Sequence, residues 1–337
     1  MTEMSYQRLG ESNLRVSPLC LGTMMFGDQT DAAESANIVA SARAQGVNFV
    51  DTADVYTKGA SESILGPLLK SERDWWVLAT KLGNRMSDNP NEGGYSRAWV
   101  RREVESSLRR LQLEHIDILY MHIDREFDDL EEPLRAIDDL MRAGKIHYWG
   151  VSNFRGWRIA EVVRTADGLN MARPTVCQPY YNLLNRMPEV EILPACANYG
   201  LGVVPYSPIA RGVLAGKYKP GVQPEAGSRA ARQDRRMLQT EWREESLQVA
   251  EQIGKYIEGR DITMAQFAVA WVLANPLISS VIAGPRTLAQ WEGYRGALDY
   301  EWSNEDEDFI DSLVVPGHAS TPGYHDPQYP FYGRPVE

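Results

Sequence analysis

The chain has 337 residues, 43% of them hydrophobic and 24% charged, which is enough to bury a sizeable core in one large domain or two small ones. Its formal net charge of -11 argues against nucleic acid or an anionic membrane as partner, though not against a small anionic ligand. Three scattered cysteines, Cys20, Cys177 and Cys196, offer neither a CxxC pair nor an even disulfide framework. The opening MTEMSYQRLGESN lacks an apolar signal core, and no apolar run approaches the ~18 residues of a membrane span, so a cytoplasmic location is expected.

Short apolar runs alternate with longer amphipathic stretches. The runs fall at 16–21, 47–50, 76–79, 116–121, 146–151, 175–177, 202–206 and 279–283 and predict eight strands. The 3.6-residue pattern predicts helices near 31–45, 61–70, 96–112, 131–143, 155–168, 188–199, 263–275 and 287–298. Asp31 and Ser61 are the expected N-caps of the first two, and Gly46, Gly144 and Gly200 stand where left-handed C-terminal residues are wanted. Two segments exceed this alternation. Residues 208–262 form a long insertion with one helix near 242–258, and 314–337 form a tail rich in Pro, Gly and Tyr.

Eight β/α units close into a barrel or open into a doubly wound sheet. An open dinucleotide-binding sheet needs a GxGxxG turn after its first strand, and LGTMMFGD has none. Gly200-Leu201-Gly202 precedes a strand and reads as a helix stop. A (β/α)8 barrel over residues 1–313 is therefore expected, with an extension over 314–337.

Barrel chemistry sits at the C-terminal ends of the strands. There the sequence places Gly22-Thr23, Asp51, Tyr56, Lys81, His122, Ser152-Asn153, Gln178, Tyr206-Ser207-Pro208 and Gly284-Pro285-Arg286. A tyrosine ionises near pH ~10, but an ammonium ~4 Å away favours the phenolate by ~4 kcal/mol at an effective dielectric of ~20. Lys81 is thus expected to bring Tyr56 into general-acid range, with Asp51 holding Lys81 and His122 donating to a carbonyl oxygen. No metal site is expected: His122 and Asp124 alone make a poor ligand set, without HxH or HExxH. Met24, Met25, Phe26, Met86 and Trp149 are either walls of an apolar pocket or core.

In order and spacing, DTADVY, ATK, YMH, GVSN, QPYYNLLNR, YSPIARGVLAGKY and VIAGPRTLAQ resemble the aldo-keto reductase superfamily, from about residue 6 to 313. The similarity is to the branch holding bacterial members and the β subunits of voltage-gated potassium channels. The resemblance implies a catalytic tetrad of Asp51, Tyr56, Lys81 and His122, with Tyr56 the proton donor. It implies that Ser152, Asn153 and Gln178 hold a nicotinamide carboxamide and that Tyr206 stacks on the ring. Ser207, Pro208, Ile209, Gly212 and Lys217 would wrap the pyrophosphate. Arg286 and Gln290 would surround the adenosine 2′-phosphate, with Arg229 a further phosphate contact. The turn residues Gly22, Thr23 and Gly284 complete the expected cofactor set.

Two departures stand out. Gly293-Tyr294 replaces a Glu-Asn pair near the adenine, where Tyr294 can stack instead. Arg211 stands where the family usually has glycine after SPLA. The reading that follows is reduction of an aldehyde or ketone, or the reverse alcohol oxidation, with NADPH favoured over NADH. Its expected partner is a small carbonyl or alcohol substrate, and a homo-oligomer is left open. The alternatives are a cofactor-binding regulatory subunit with little turnover, and a barrel isomerase or lyase without nicotinamide. Arg232, Arg235 and Arg236 read as a solvated loop. The tail aromatics Tyr324, Tyr329, Phe331 and Tyr332 predict an ordered tail packed on the barrel or on a neighbouring subunit.

Overall fold

The structure, a computed structural model, describes residues 4–124 and 129–330. It opens with an antiparallel hairpin, β1 (Gln7–Arg8) and β2 (Arg15–Val16), whose two-residue strands are too short to show alternation in sequence. Leu9 and Val16 from this hairpin are fully buried among the side chains that fill the barrel interior. The turn needs Gly10, at φ 57°, because a Cβ there would meet the Gly200 carbonyl at 2.4 Å.

Eight parallel strands follow: β3 (Leu19–Gly22), β4 (Phe49–Asp51), β5 (Val77–Leu82), β6 (Ile116–Met121), β7 (Ile146–Ser152), β8 (Val176–Gln178), β9 (Gly202–Val203) and β10 (Val281–Ala283). They run in the order β10-β3-β4-β5-β6-β7-β8-β9. The two edges meet through a Val203–Ile278 bridge, with Ser279 N donating to Val203 O at 2.9 Å and Ile282 N to Pro205 O at 3.0 Å. The sheet is thus the expected (β/α)8 barrel. The seventh strand is shorter than the predicted 202–206. Pro205 has no N–H for the ladder, and pairing resumes only as a Tyr180–Tyr206 bridge.

Around it lie α1 (Ala32–Ala44), α2 (Ala60–Leu69), α3 (Arg97–Leu111), α4 (Glu131–Arg142), α5 (Gly156–Gly168) and α6 (Ile192–Tyr199). After β9 come α7 (Arg235–Thr240) and α8 (Glu244–Tyr256), then α9 (Met264–Ala274), α10 (Leu288–Tyr294) and α11 (Asn304–Leu313). Asp31 caps α1 by accepting from Glu34 N at 2.8 Å, as expected. Ser61 does not cap α2. That helix starts from Gly59, and the Ser61 hydroxyl is buried against Thr23 and Thr52 beneath the strand ends. The segment predicted as a helix over 188–199 is a short 3-10 turn, Met187–Glu189, followed by α6. Neither α7 nor α11 was expected. α11 is set by a capping box between Ser303 and Asp306, and its acidic run hides the apolar face carried by Ile310.

Cys20, Phe49, Ala79, Ile118, Tyr120, Val176 and Ile282 fill the barrel, while a larger cluster packs the strands against the helices. Burying each Val, Ile or Phe of this set contributes ~1.5–3 kcal/mol. Phe26 and Trp149 belong to this core, Trp149 donating to Ala172 O, and neither lines the cleft over the strand ends. One of the largest fully buried side chains is a cation, Lys81.

Candidate active site

Asp51 is the last residue of β4, Lys81 lies near the end of β5, and His122 directly follows β6. Parallel register therefore carries three ionisable groups to one rim. Lys81 Nζ donates to Asp51 Oδ1 at 2.5 Å, to Thr52 O at 2.7 Å and to the Tyr56 hydroxyl at 3.0 Å. Asp51 Oδ2 accepts from Gln178 Nε2 at 2.9 Å. The edge-to-face rings of Tyr56 and His122 lie 5.9 Å apart. Tyr56 is presented by a turn in which Thr57, Lys58 and Gly59 all take positive φ, of 49°, 54° and 89°. Thr57 Oγ1 anchors it by donating to Phe26 O at 2.7 Å. Two non-glycine residues held left-handed beside a cleft are strain of the kind found at functional sites.

The electrostatics correct one expectation. Burial pushes the Tyr56 phenol above its ordinary value, and Lys81 pulls it down only in part because Asp51 opposes it. The phenol faces an ion pair and not a bare ammonium, so the free protein keeps Tyr56 protonated. Burial raises the Asp51 carboxyl, against the charge and hydrogen bond of Lys81 and the hydrogen bond from Gln178. Burial alone would lower Lys81; the charge of Asp51 and the contact with Tyr56 hold it above its usual value. Burial, then the Lys81 charge, keeps His122 well below the usual imidazole value and hence neutral. His122 Nδ1 has no hydrogen-bond partner. With Nδ1 buried and unpaired, Nε2 is the ring nitrogen available to a ligand in the cleft.

A cleft of about 560 Å³ opens over this group. Asp51, Tyr56 and His122 form part of its wall, while Lys81 stands behind them. Every residue expected to hold a cofactor lines it: Gly22, Thr23, Ser152, Asn153, Gln178, Tyr206, Ser207, Pro208, Ile209, Gly212, Lys217, Arg229, Gly284, Arg286, Gln290 and Tyr294. Asn153 is left-handed at φ 61°, donates to His122 O at 2.8 Å and accepts from the Tyr206 hydroxyl at 2.7 Å. One face of Tyr206 stacks on Tyr180, with centroids 5.6 Å apart. The loop after β9 repeats the strain, with Ser207, Ala210 and Arg211 at φ 58°, 47° and 50°.

Arg211, Lys217, Arg229 and Arg286 line the cleft together in a chain of net charge -11. Burial lowers the Arg229 guanidinium, and the charges of Arg211, Arg286 and Arg232 lower it further. Its carboxylate neighbour, Asp234, is 3.5 Å away. Arg286 Nη1 donates to Gln29 Oε1 at 3.3 Å. Tyr294 is buried near both arginines, its phenol pushed up to about 12 by desolvation.

The sequence reading missed part of this wall. Arg236 is not in a solvated loop: it lines the cleft and pairs with Asp326 of the tail at 2.6 and 2.9 Å, because α7 turns it inward. Gln328 and Tyr329 also line the cleft. Arg155 Nη2 donates to Tyr329 O at 2.6 Å, and Arg243 lies 3.7 Å over the Tyr324 ring. The aromatic content of the tail was the available signal. Phe331 and Tyr332 lie outside the described residues. Met24 and Met25 line the cleft, whereas Met86 does not.

The family model described as "Aldo/keto reductase family" matches residues 18–315. The chain is 39% identical over 306 residues to the uncharacterized oxidoreductase YrpG of Bacillus subtilis, covering 85% of this chain and 89% of that protein. It is 34% identical over 303 residues to a probable voltage-gated potassium channel subunit beta of Arabidopsis thaliana, covering 88% and 92%. A putative subunit of the same kind from Schizosaccharomyces pombe is 34% identical over 292 residues, covering 83% of each chain.

Proposed function

The chain belongs to the aldo/keto reductase family, and from that premise we propose that it reduces an aldehyde or ketone to the alcohol, or runs the reverse oxidation, with NADPH. The observation that carries this is the contact of Lys81 with both Asp51 and Tyr56 beside a cleft whose wall also carries Arg211, Lys217, Arg229 and Arg286. The cofactor fits that wall on physical grounds. Arg229, lowered by burial and by the charges of Arg211, Arg286 and Arg232, suits a ligand with several phosphate charges. Arg229, Arg286 and Gln290 would take the 2′-phosphate, and Lys217 with the strained loop from Ser207 the pyrophosphate. Tyr206 would offer its free face to the nicotinamide, with Ser152, Asn153 and Gln178 at the carboxamide. When bound, the dihydronicotinamide supplies a hydride from C4.

The chain's own residues do the rest. His122 Nε2–H hydrogen-bonds the carbonyl oxygen and polarises it. Tyr56 passes its proton to the same oxygen as negative charge develops there. Lys81 stabilises the phenolate left behind, and Asp51 keeps Lys81 charged and in place. A phenol held protonated in the free protein suits a donor that acts only once a stronger base appears at the oxygen. NADH is the lesser cofactor in this reading, because it lacks the 2′-phosphate. We further propose that residues 1–313 are the catalytic barrel and that the tail from 314 packs over it, with Tyr329 at the cleft.

The relatives named as channel subunits favour a second reading, a cofactor-binding regulatory subunit with little turnover. NADPH oxidation followed across a panel of sugars, aromatic aldehydes and hydroxyketones separates the two. The proposal expects turnover with at least one class. NADPH binding without turnover across the panel supports the regulatory reading.

A further inference from the structure

At the N-terminal end of the barrel strands, opposite the cleft, three donors meet. His115 immediately precedes β6, Asp117 is its second residue, and His147 is the second residue of β7. The register pairs Ile116 with Ile146 and Ile118 with Tyr148, so Asp117 and His147 sit side by side. The rings of His115 and His147 stack with centroids 4.4 Å apart. Asp117 Oδ1 lies 3.7 Å from His147 Nδ1. The other oxygen, Oδ2, is held by Arg73 Nη2 at 2.6 Å and by Leu78 N at 2.8 Å. That grip fixes the carboxylate and leaves Oδ1 toward the imidazoles. One donor atom from each residue lies within 4.8 Å of the other two, the one such group of three found among the described residues.

We propose that His115, Asp117 and His147 bind a divalent transition-metal ion of the zinc class, with solvent completing its shell. Two imidazole nitrogens and one carboxylate suit zinc, and do not suit magnesium or calcium, which take oxygen ligands. Ligand atoms ~2.0–2.2 Å from one ion lie closer together than this group does, so the site must contract on binding. The half-exposed His147 side chain is free to make that move. Arg73 is the outer partner that orients the carboxylate, a role such partners commonly fill. The sequence did not show the site because its ligands come from two strands some thirty residues apart. At this end of a barrel, residues serve stability and not chemistry. The ion would pin β6 to β7.

The test is calorimetric titration of the full chain with zinc chloride at pH 7.5 in a non-chelating buffer, alongside thermal melts. The expected result is one strong site per chain, a raised melting temperature and unchanged turnover. His147→Ala, altering a half-exposed ring, should fold normally and weaken zinc at least tenfold, the smallest loss usual even for outer partners. His115→Gln should do the same. Absence of binding by the wild-type chain overturns the proposal. So does zinc affinity unchanged in both variants, which would place the ion elsewhere, as at His318 or His325.

Discussion

Lys81 is fully buried and Asp51 nearly so, joined at 2.5 Å. Replacing Lys81 with Met leaves the carboxylate desolvated, with Gln178 as its remaining side-chain donor. Breaking a buried pair by removing one partner costs ~3–5 kcal/mol. With a melting entropy of ~2.1 cal/mol/K per residue, a chain of this length loses about 0.7 kcal/mol per degree, so the melting temperature should fall by ~4–7 °C. The double variant Asp51→Asn/Lys81→Met removes the stranded charge and should regain at least half of that loss, with turnover expected to be lost in both variants. A stranded carboxylate can also be relieved by a proton. The Lys81→Met penalty should therefore shrink between pH 8 and pH 5, whereas the double variant's should not. Urea-unfolding midpoints at the two pH values, read by circular dichroism, measure all three proteins. A Lys81→Met protein as stable as wild type, or a double variant at least as unstable as the single, would refute the view that a desolvated ion pair underlies the site.

His122 gives a pH signature with a defined sign. Its folded-state value lies well below the unfolded value of ~6.5, so its stability contribution is complete above pH ~6.5 and is lost as pH falls toward the folded value. At pH 5.5 the wild type should have lost up to ~1.4 kcal/mol relative to pH 7.5 that His122→Gln does not lose, measured as the difference between their unfolding free energies. Parallel acid limbs in the two proteins would contradict a neutral His122. Arg286→Ala should weaken NADPH roughly tenfold more than NADH, since a charged hydrogen bond is worth ~1.5–3 kcal/mol and only NADPH presents the 2′-phosphate. Quenching of tryptophan fluorescence reads both affinities, and equal losses would move Arg286 away from that phosphate.

The barrel was legible because its strands and helices carry different hydrophobic periods and because Asp31, Gly46, Gly144 and Gly200 punctuate them. What escaped was either too short to carry a period, as in the hairpin at Gln7–Arg8 and Arg15–Val16, or masked by charge, as in Asn304–Leu313. At the site, residue types at strand ends were enough to bring Asp51, Tyr56, Lys81 and His122 together in the reading. The direction of the Tyr56 shift was not legible. It depends on how deeply the phenol is desolvated and on Asp51 cancelling much of the Lys81 charge, and both are set by packing. Arg236 escaped for a related reason, since its partner Asp326 is ninety positions away and no local pattern links them.

If Tyr56 gives its proton to the carbonyl oxygen, as proposed, Tyr56→Phe is the decisive change. The change removes one hydroxyl at 3.0 Å from Lys81 and leaves the cationic wall of the cleft untouched. With an aldehyde that the wild type reduces, kcat for NADPH oxidation should fall by ~100-fold or more, while the NADPH dissociation constant stays within about twofold. Near-wild-type turnover in Tyr56→Phe would mean that another group supplies the proton.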